Sequence, residues 1–192
     1  MRPGQDASMM QRTPIELDRV LLRPPRPVDA EMVYRNWATD AEVAKFVTWR
    51  PASSIEDTRA FLAGACDRWD NEDEFSWLIC LKSNDEPIGA ISLRKMQYKA
   101  TMGYVLSRRH WGCGLTLEAA RCVLNIAFSD PRIFRVGAYC DVENTRSARV
   151  LEKLGMTLEG TLRSWLVHPA LSEQPRDCLS YSIVRRSGGH DQ

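Results

Sequence analysis

The segment RRHWGCGLTLEAA, Arg108 to Ala120, constrains this chain more than any other. An apolar run with strand-like alternation ends just before it and a run with helical spacing starts just after it, so the backbone must turn from strand to helix across Gly112 and Gly114. Glycines placed there remove side chains where a ligand would have to approach the backbone. The helix start beyond them exposes unpaired N–H groups and the positive end of the helix dipole, which favours phosphate oxygens. The competing reading is an ordinary turn that needs glycine for its dihedral angles. Two nucleotide motifs are excluded by inspection. Leu117 stands where a dinucleotide fingerprint needs a third small residue, and no Gly-Lys-Ser/Thr follows as a phosphate loop would need. What remains is Arg-x-x-Gly-x-Gly, Arg109 to Gly114.

A chain of 192 residues can bury the core of one folding unit without staples. Residues 15–186 are read as that single domain, and residues 1–14 and 187–192, polar and Gly/Pro-containing, as flexible ends. With 26 Lys+Arg against 25 Asp+Glu the formal charge is +1, which gives no global field to attract nucleic acid or an anionic membrane. Neither is expected as a partner, and any anion site must be local. The six cysteines form no C-x-x-C pair, and several sit in apolar runs as buried thiols would, which fits a reducing cytoplasm. No metal is expected. No apolar stretch reaches the length of a signal core or a membrane span.

Along the chain, a strand ending at Leu22, a Pro-punctuated turn and a helix from about Val28 come first. A second helix is predicted over SSIEDTRAFLAGACDRW, capped by Ser54. FSWLICLKS, PIGAISLRKM and ATMGYVLS read as three strands joined by short polar turns, hence an antiparallel meander. After the glycines, Leu115, Ala119, Cys122 and Ile126 mark a helix face. RIFRVGAYC is strand-like, NTRSARVLEKLG a helix stopped by Gly155, and MTLEGTLRSWLVH and CLSYSIVRR two final strands. The sum is an α/β (α+β) domain, a mixed but mostly antiparallel sheet of about seven strands covered by helices.

The Arg-x-x-Gly-x-Gly loop, HWGCGLTLEA, and DVENTRSARVLEKLGMTLEGTLR about thirty residues later together resemble the GNAT superfamily of N-acetyltransferases, in its RimJ/RimL-type branch. The similarity of element order runs over roughly residues 16–185. It implies the GNAT fold, splayed between the fourth and fifth strands, with acetyl-CoA as co-substrate lying in the cleft. By resemblance, Arg109, Gly112, Cys113 and Gly114, with Leu115 and Thr116 behind them, hold the pyrophosphate. Val105 and Leu106 face the pantetheine through their backbone, and Asn144 and Ser147 belong to the cofactor side. Ser147 is then the candidate proton donor to the leaving CoA thiolate. Purely structural readings stand beside these: a helix cap for Asn144 and a helix-end hydrogen bond for Ser147.

The sequence departs from the branch pattern where an amine base is expected, because RSWLVHP carries no carboxylate. His168 is the titratable group in that stretch and the candidate base, with a strand-end histidine on the surface as its alternative. Glu72, Asp73 and Glu74 could attract a cationic amine, with Glu74 the substrate-binding candidate, and Asp177 is a further carboxylate. Glu159 fits the Glu-Gly motif or is structural. Trp49, between the first two helices, is a candidate pocket wall, and Arg50 beside it could bind an acceptor carboxylate or face solvent. The expected activity is direct transfer of acetyl to a primary amine of a small molecule or peptide, with no covalent enzyme intermediate. A CoA-binding sensor without turnover is the alternative, and a homodimer is an open expectation.

Overall fold

The computed structural model describes residues 13–72 and 74–185. One eight-stranded sheet organises them, in the order β1-β2-β3-β4-β5-β6-β8-β7. Its strands are β1 (Ile15–Glu16), β2 (Val20–Arg23), β3 (Phe75–Leu81), β4 (Pro87–Met96), β5 (Lys99–Leu106), β6 (Arg135–Asp141), β7 (Thr157–Leu166) and β8 (Arg176–Val184). The expected meander is β3–β4–β5, antiparallel throughout. The count exceeds seven because residues 15–16 pair back on β2, so the expected fourth and fifth strands are β5 and β6. The flexible ends predicted at 1–14 and 187–192 fall mostly or wholly outside the described residues.

Helices cover both faces. Ile55–Asp70 (α3) begins as the sequence suggests. Ser54 accepts a hydrogen bond from the amide of Asp57, and the Asp57 carboxylate returns the favour at the Ser54 amide, 3.0 Å. Leu115–Ser129 (α4) carries its buried stripe on Ala119, Ala120, Val123, Leu124 and Ala127, rotated from the expected face, with Cys122 and Ile126 at its margin. Thr145–Lys153 (α5) follows β6. The single helix expected from Val28 is instead three short pieces. A 3-10 turn at Pro27–Asp29 leads into α1 (Ala30–Val33) and a π-helical turn at Tyr34–Ala38, and α2 (Ala41–Ala44) follows. A wider π turn spaces its side chains differently from an α-helix, so the 3.6-residue pattern does not report it.

The sheet separates two apolar clusters. Leu22, Trp77, Ile79, Ile91, Met102 and Val136 meet α4 and α5 on one face. Val33, Trp37, Leu62, Leu78 and Cys80 pack on the other. Arg185 closes the far end of α4 by donating to the carbonyls of Phe128 and Asp130, both at 2.7 Å. Strand β7 is the exposed edge of the sheet, and its pairing with β8 shifts register twice, near Gly160 and between Leu162 and Leu166.

At the opposite end of the meander Gly89 permits a close approach. A Cβ there would sit 2.3 Å from the Val105 carbonyl oxygen and 3.0 Å from the Leu106 Cα, both backbone atoms. Gly89→Ala should therefore force β4 and β5 apart and cost about 1–3 kcal/mol, the usual range for overpacking. Chemical denaturation would measure this as a lower midpoint, and an unchanged midpoint would mean that the strands yield freely.

Candidate active site

Strands β5 and β6 run parallel but pair only through Lys99–Arg135, Ala100–Val136 and Thr101–Gly137. Beyond Thr101 they part, leaving a V-shaped cleft that widens toward Leu106 on one side and Asp141 on the other. The glycine loop stands at the mouth of this V, directly after β5. Gly112 and Gly114 both have φ of +77°, a left-handed conformation that L-side chains adopt at a cost, and Gly114 is the N-cap of α4. A Cβ on Gly112 would meet nothing within 4 Å, so the backbone conformation, rather than crowding within the protein, requires glycine there. Among the described residues the amides of Gly112, Cys113, Gly114, Leu115 and Thr116 form no hydrogen bond to the protein. Five donors at one helix start make a cradle whose backbone polarity suits an anion.

Arg19, which belongs to none of the motifs above, fixes this loop. Its guanidinium donates to the Cys113 carbonyl at 2.8 Å, and its Nε and backbone amide donate to the two carboxylate oxygens of Glu118, each at 2.8 Å. Burial pushes the Glu118 carboxyl up, but Arg19 outweighs it and holds the group below its ordinary value. With the Cys113 carbonyl drawn toward Arg19, the amides around it are left for a ligand. Arg108 pairs with Asp40 at 3.1 Å, and Arg109 is exposed at the start of the loop. Trp111 donates its Nε1 proton to the Leu106 carbonyl at 2.8 Å, and the Arg146 guanidinium of α5 lies 4.5 Å from its ring centroid. The Leu106 carbonyl is thus already engaged within the protein. Val105 packs toward the cluster that contains Trp37.

On the β6 side Asn144 caps α5, accepting from the Ser147 amide at 3.1 Å. The Ser147 hydroxyl lies 2.8 Å from the phenol oxygen of Tyr104, which reaches across from β5. Burial pushes the Tyr104 phenol well above its ordinary value, so it stays protonated. Burial likewise raises the neighbouring Cys140 thiol to about 11. The alternation Ala100, Met102, Tyr104, Leu106 was readable in the sequence and places Tyr104 on the face of β5 that meets α4 and α5.

His168 is not on the surface. It is 2% exposed, with Nδ1 3.2 Å from the Val47 carbonyl, which fixes the proton on Nδ1 because a carbonyl only accepts. Its Nε2 faces Asp141 at 3.7 Å and the Cys178 sulfur at 3.9 Å. Asp141, fully buried at the open end of β6, takes two hydrogen bonds from Arg176, at 2.7 and 3.2 Å, and one from the Glu143 amide at 2.9 Å. Burial raises the Asp141 carboxyl, but these donors prevail and hold it below the usual range. Trp49 is partly buried, its ring 6.0 Å from that of Trp37, and Arg50 pairs with Glu173 at 3.2 Å.

Other carboxylates lie elsewhere. Glu74 is bound to Arg94 at 2.9 Å next to β3, at the end of the sheet where β5 and β6 still pair, so it is not brought together with Ser147. Asp177 accepts from the Ser164 amide at 2.8 Å, and Glu159 pairs with Arg135 and accepts from the Ser182 hydroxyl at 2.7 Å, both structural tasks. Glu72 closes the turn after α3 with a positive φ of 58°, and Asp73 lies outside the described residues.

A sheet parted between two parallel strands, with a left-handed glycine loop feeding a helix at the mouth, is the arrangement that the resemblance to the GNAT superfamily implies. The acetyltransferase (GNAT) domain family matches residues 19–157. This chain belongs to the GNAT acetyltransferase family, and it is an N-acetyltransferase that acetylates with acetyl-CoA. Among its relatives is an uncharacterized N-acetyltransferase of Bacillus subtilis, YoaA, 29% identical over 174 residues, which cover 89% of this chain and 96% of YoaA. A GNAT-family acetyltransferase from Bacillus anthracis superposes with a TM-score of 0.77 at 26% identity, over 90% of this chain and 98% of that one. The same fold appears in RimL, a ribosomal L7/L12 α-N-protein acetyltransferase solved with coenzyme A, with a TM-score of 0.79 at 20% identity over 90% and 98% of the two chains.

Two predictions come from this geometry. Arg19→Ala should weaken acetyl-CoA binding roughly tenfold, as calorimetry would read, because ~1.4 kcal/mol is about the value of one charge-assisted hydrogen bond that orders the loop. Binding at parental affinity would show that the loop holds its shape unaided. The second concerns acid. A carboxyl held below its unfolded value stabilises fully above that value, about 3.9 for Asp, and loses this contribution as pH falls through the lower folded value. Asp141→Asn should therefore be less stable than the parent at neutral pH and show a flatter loss of stability below about pH 4. Denaturant midpoints taken across that range would reveal it, and parallel acid limbs for the two proteins would remove Asp141 from the account.

Proposed function

We propose that this chain transfers the acetyl group of acetyl-CoA directly to a primary amine of low pKa, such as a peptide or protein α-amine or a small-molecule amine. The observation that carries this reading is the row of unengaged amides from Gly112 to Thr116 at the mouth of the β5–β6 cleft. In this proposal Arg109, Gly112, Cys113, Gly114, Leu115 and Thr116 hold the pyrophosphate, and Val105 and Leu106 flank the pantetheine. Asn144 orients the first turn of α5. Ser147 is the catalytic donor: as the bond from acetyl carbon to sulfur breaks and its electron pair moves to sulfur, the serine proton goes to sulfur. The serine oxygen then regains, through solvent, the proton that the attacking nitrogen sheds. Cys113 keeps its side chain out of the chemistry, since its carbonyl is tied to Arg19 and its thiol points back toward the Trp111 carbonyl at 3.6 Å.

The acceptor follows from the missing carboxylate in RSWLVHP, the stretch where the branch pattern expects an amine base. His168, expected as the base, is enclosed between Val47 and Asp141 and is assigned instead to holding the 45–52 segment, with Trp49 and Arg50, against the end of β6. An enzyme without a strong base draws on amine that is already neutral. An α-amine of pKa about 7.7–8.0 needs roughly 1 kcal/mol to reach that form at pH 7, whereas a lysine amine at about 10.4 needs roughly 4–5 kcal/mol. RimL, named for α-N-acetylation of a ribosomal protein, shares the fold and is compatible with this reading.

The test compares kcat/KM for a peptide with a free α-amine and blocked lysine against its α-blocked, free-lysine counterpart from about pH 6 to 9. The α-amine should be preferred by two orders of magnitude or more at neutral pH. Preference for the lysine would sink the proposal, and binding of acetyl-CoA with no turnover of any amine would favour the sensor reading.

A further inference from the structure

From the contact between Tyr104 and Ser147 we infer that Tyr104 is a positioning residue that aims the Ser147 hydroxyl proton at the CoA sulfur. The inference rests on the transfer reading above and adds to it the group that makes a serine at this position an effective donor.

Two oxygens of Ser147 meet one phenol. The Tyr104 hydroxyl lies 2.8 Å from Ser147 Oγ and 3.3 Å from the Ser147 carbonyl oxygen. The carbonyl only accepts, so the pair has two arrangements. In the first, the serine donates to the phenol and the phenol donates to the carbonyl, and both protons are used internally. In the second, the phenol donates to Ser147 Oγ, and the serine proton is left to point elsewhere. Negative charge building on a departing sulfur selects the second, because only there does the serine have a proton to give. The phenol also becomes a second donor behind the first, and hydrogen bonds in such a chain strengthen one another. A first-turn serine without this partner turns its hydroxyl back onto a nearby backbone carbonyl.

The surroundings suit a neutral relay. The phenol is held protonated by burial, and the other titratable group against Ser147, the Cys140 thiol of β6, also stays neutral near pH 7. Cys178, Asp141 and Glu152 also act on Cys140, each pushing its thiol further up. The phenol has no competing acceptor among the described residues besides the two oxygens of Ser147. Because Tyr104 belongs to β5 and Ser147 to α5, the pair also spans the cleft below its mouth, so the donor is aimed only when both walls are in place.

The experiment uses full-length protein, CoA, and S-methyl-CoA, whose sulfur cannot ionise. A proton donor aimed at sulfur stabilises bound thiolate, so CoA should bind more tightly as pH rises from about 7 through the thiol range near 8.5, while S-methyl-CoA binding stays level. Tyr104→Phe should bring the rise in CoA affinity down at least threefold, toward the S-methyl-CoA profile, with S-methyl-CoA affinity within about twofold of the parent. In turnover, Tyr104→Phe should lower kcat roughly tenfold with little change in the KM for acetyl-CoA, and Ser147→Ala by roughly a hundredfold. The double variant should be no slower than Ser147→Ala alone, because the phenol acts only through the serine. Ser147→Thr, which keeps the hydroxyl, should retain the dependence on Tyr104. A Tyr104→Phe protein with the parental CoA pH profile, or a double variant slowed by the product of the two single effects, overturns the inference and leaves the phenol a packing group. Absence of CoA binding in the parent would instead overturn the transfer reading on which it stands.

Discussion

Everything that this fold can do follows from the point at which β5 and β6 stop sharing hydrogen bonds. Parallel strands are normally enclosed on both sides by a continuous ladder, and each unpaired backbone group buried there is costly. Here the ladder ends after Thr101 and Gly137, and the exposed backbone beyond it is tolerable because it lines a cleft. The flanking elements repair part of the loss. Trp111 takes the Leu106 carbonyl, and the Ser107 amide finds the Ile88 carbonyl at 2.7 Å. Tyr104 and Ser147 bridge the gap with side chains where main-chain pairing has been given up.

The same parting explains why elements distant in sequence are drawn to one place. Arg19, from the first hairpin, holds the glycine loop, and Val47, between α2 and α3, rests on His168 beyond β7. Asp141 sits beneath that contact with Arg176 and carries the charge of the arrangement in a buried position. Buried ions of this kind are poor sources of stability unless every lone pair is satisfied, and Asp141 has its donors.

The order of elements, the meander and the glycine loop were legible because they rest on local signals: alternation, turn residues and left-handed glycines. The caps at Ser54 and Asn144 were legible for the same reason. The helix from about Val28 was legible as helical, but its make-up of 3-10, α and π turns was not, since a π turn departs from the period that the sequence pattern reports. Arg19 was invisible because its partners, Cys113 and Glu118, lie about a hundred residues away and no spacing rule links them. His168 was misplaced for a related reason. A lone histidine after a strand looks like a surface group, and only the loop that folds over it from residue 47 makes it buried. Glu74 looked like part of an acidic cluster, but β3 carries it to the closed end of the sheet and Arg94 neutralises it.

Strand β7 raises a different matter. It is the last strand of an open sheet, almost wholly exposed, with Leu158 and Trp165 about half accessible to solvent. A flat edge of this length would be a template on which further chains could add strands without limit. The two register shifts against β8, with Gly160 at φ +149° and Ser164 at φ +47°, twist the free edge so that its donors and acceptors do not form one straight row. Straightening them, for instance by removing a residue at either irregularity, would be expected to leave the cleft intact and turn the protein into one that aggregates through its edge.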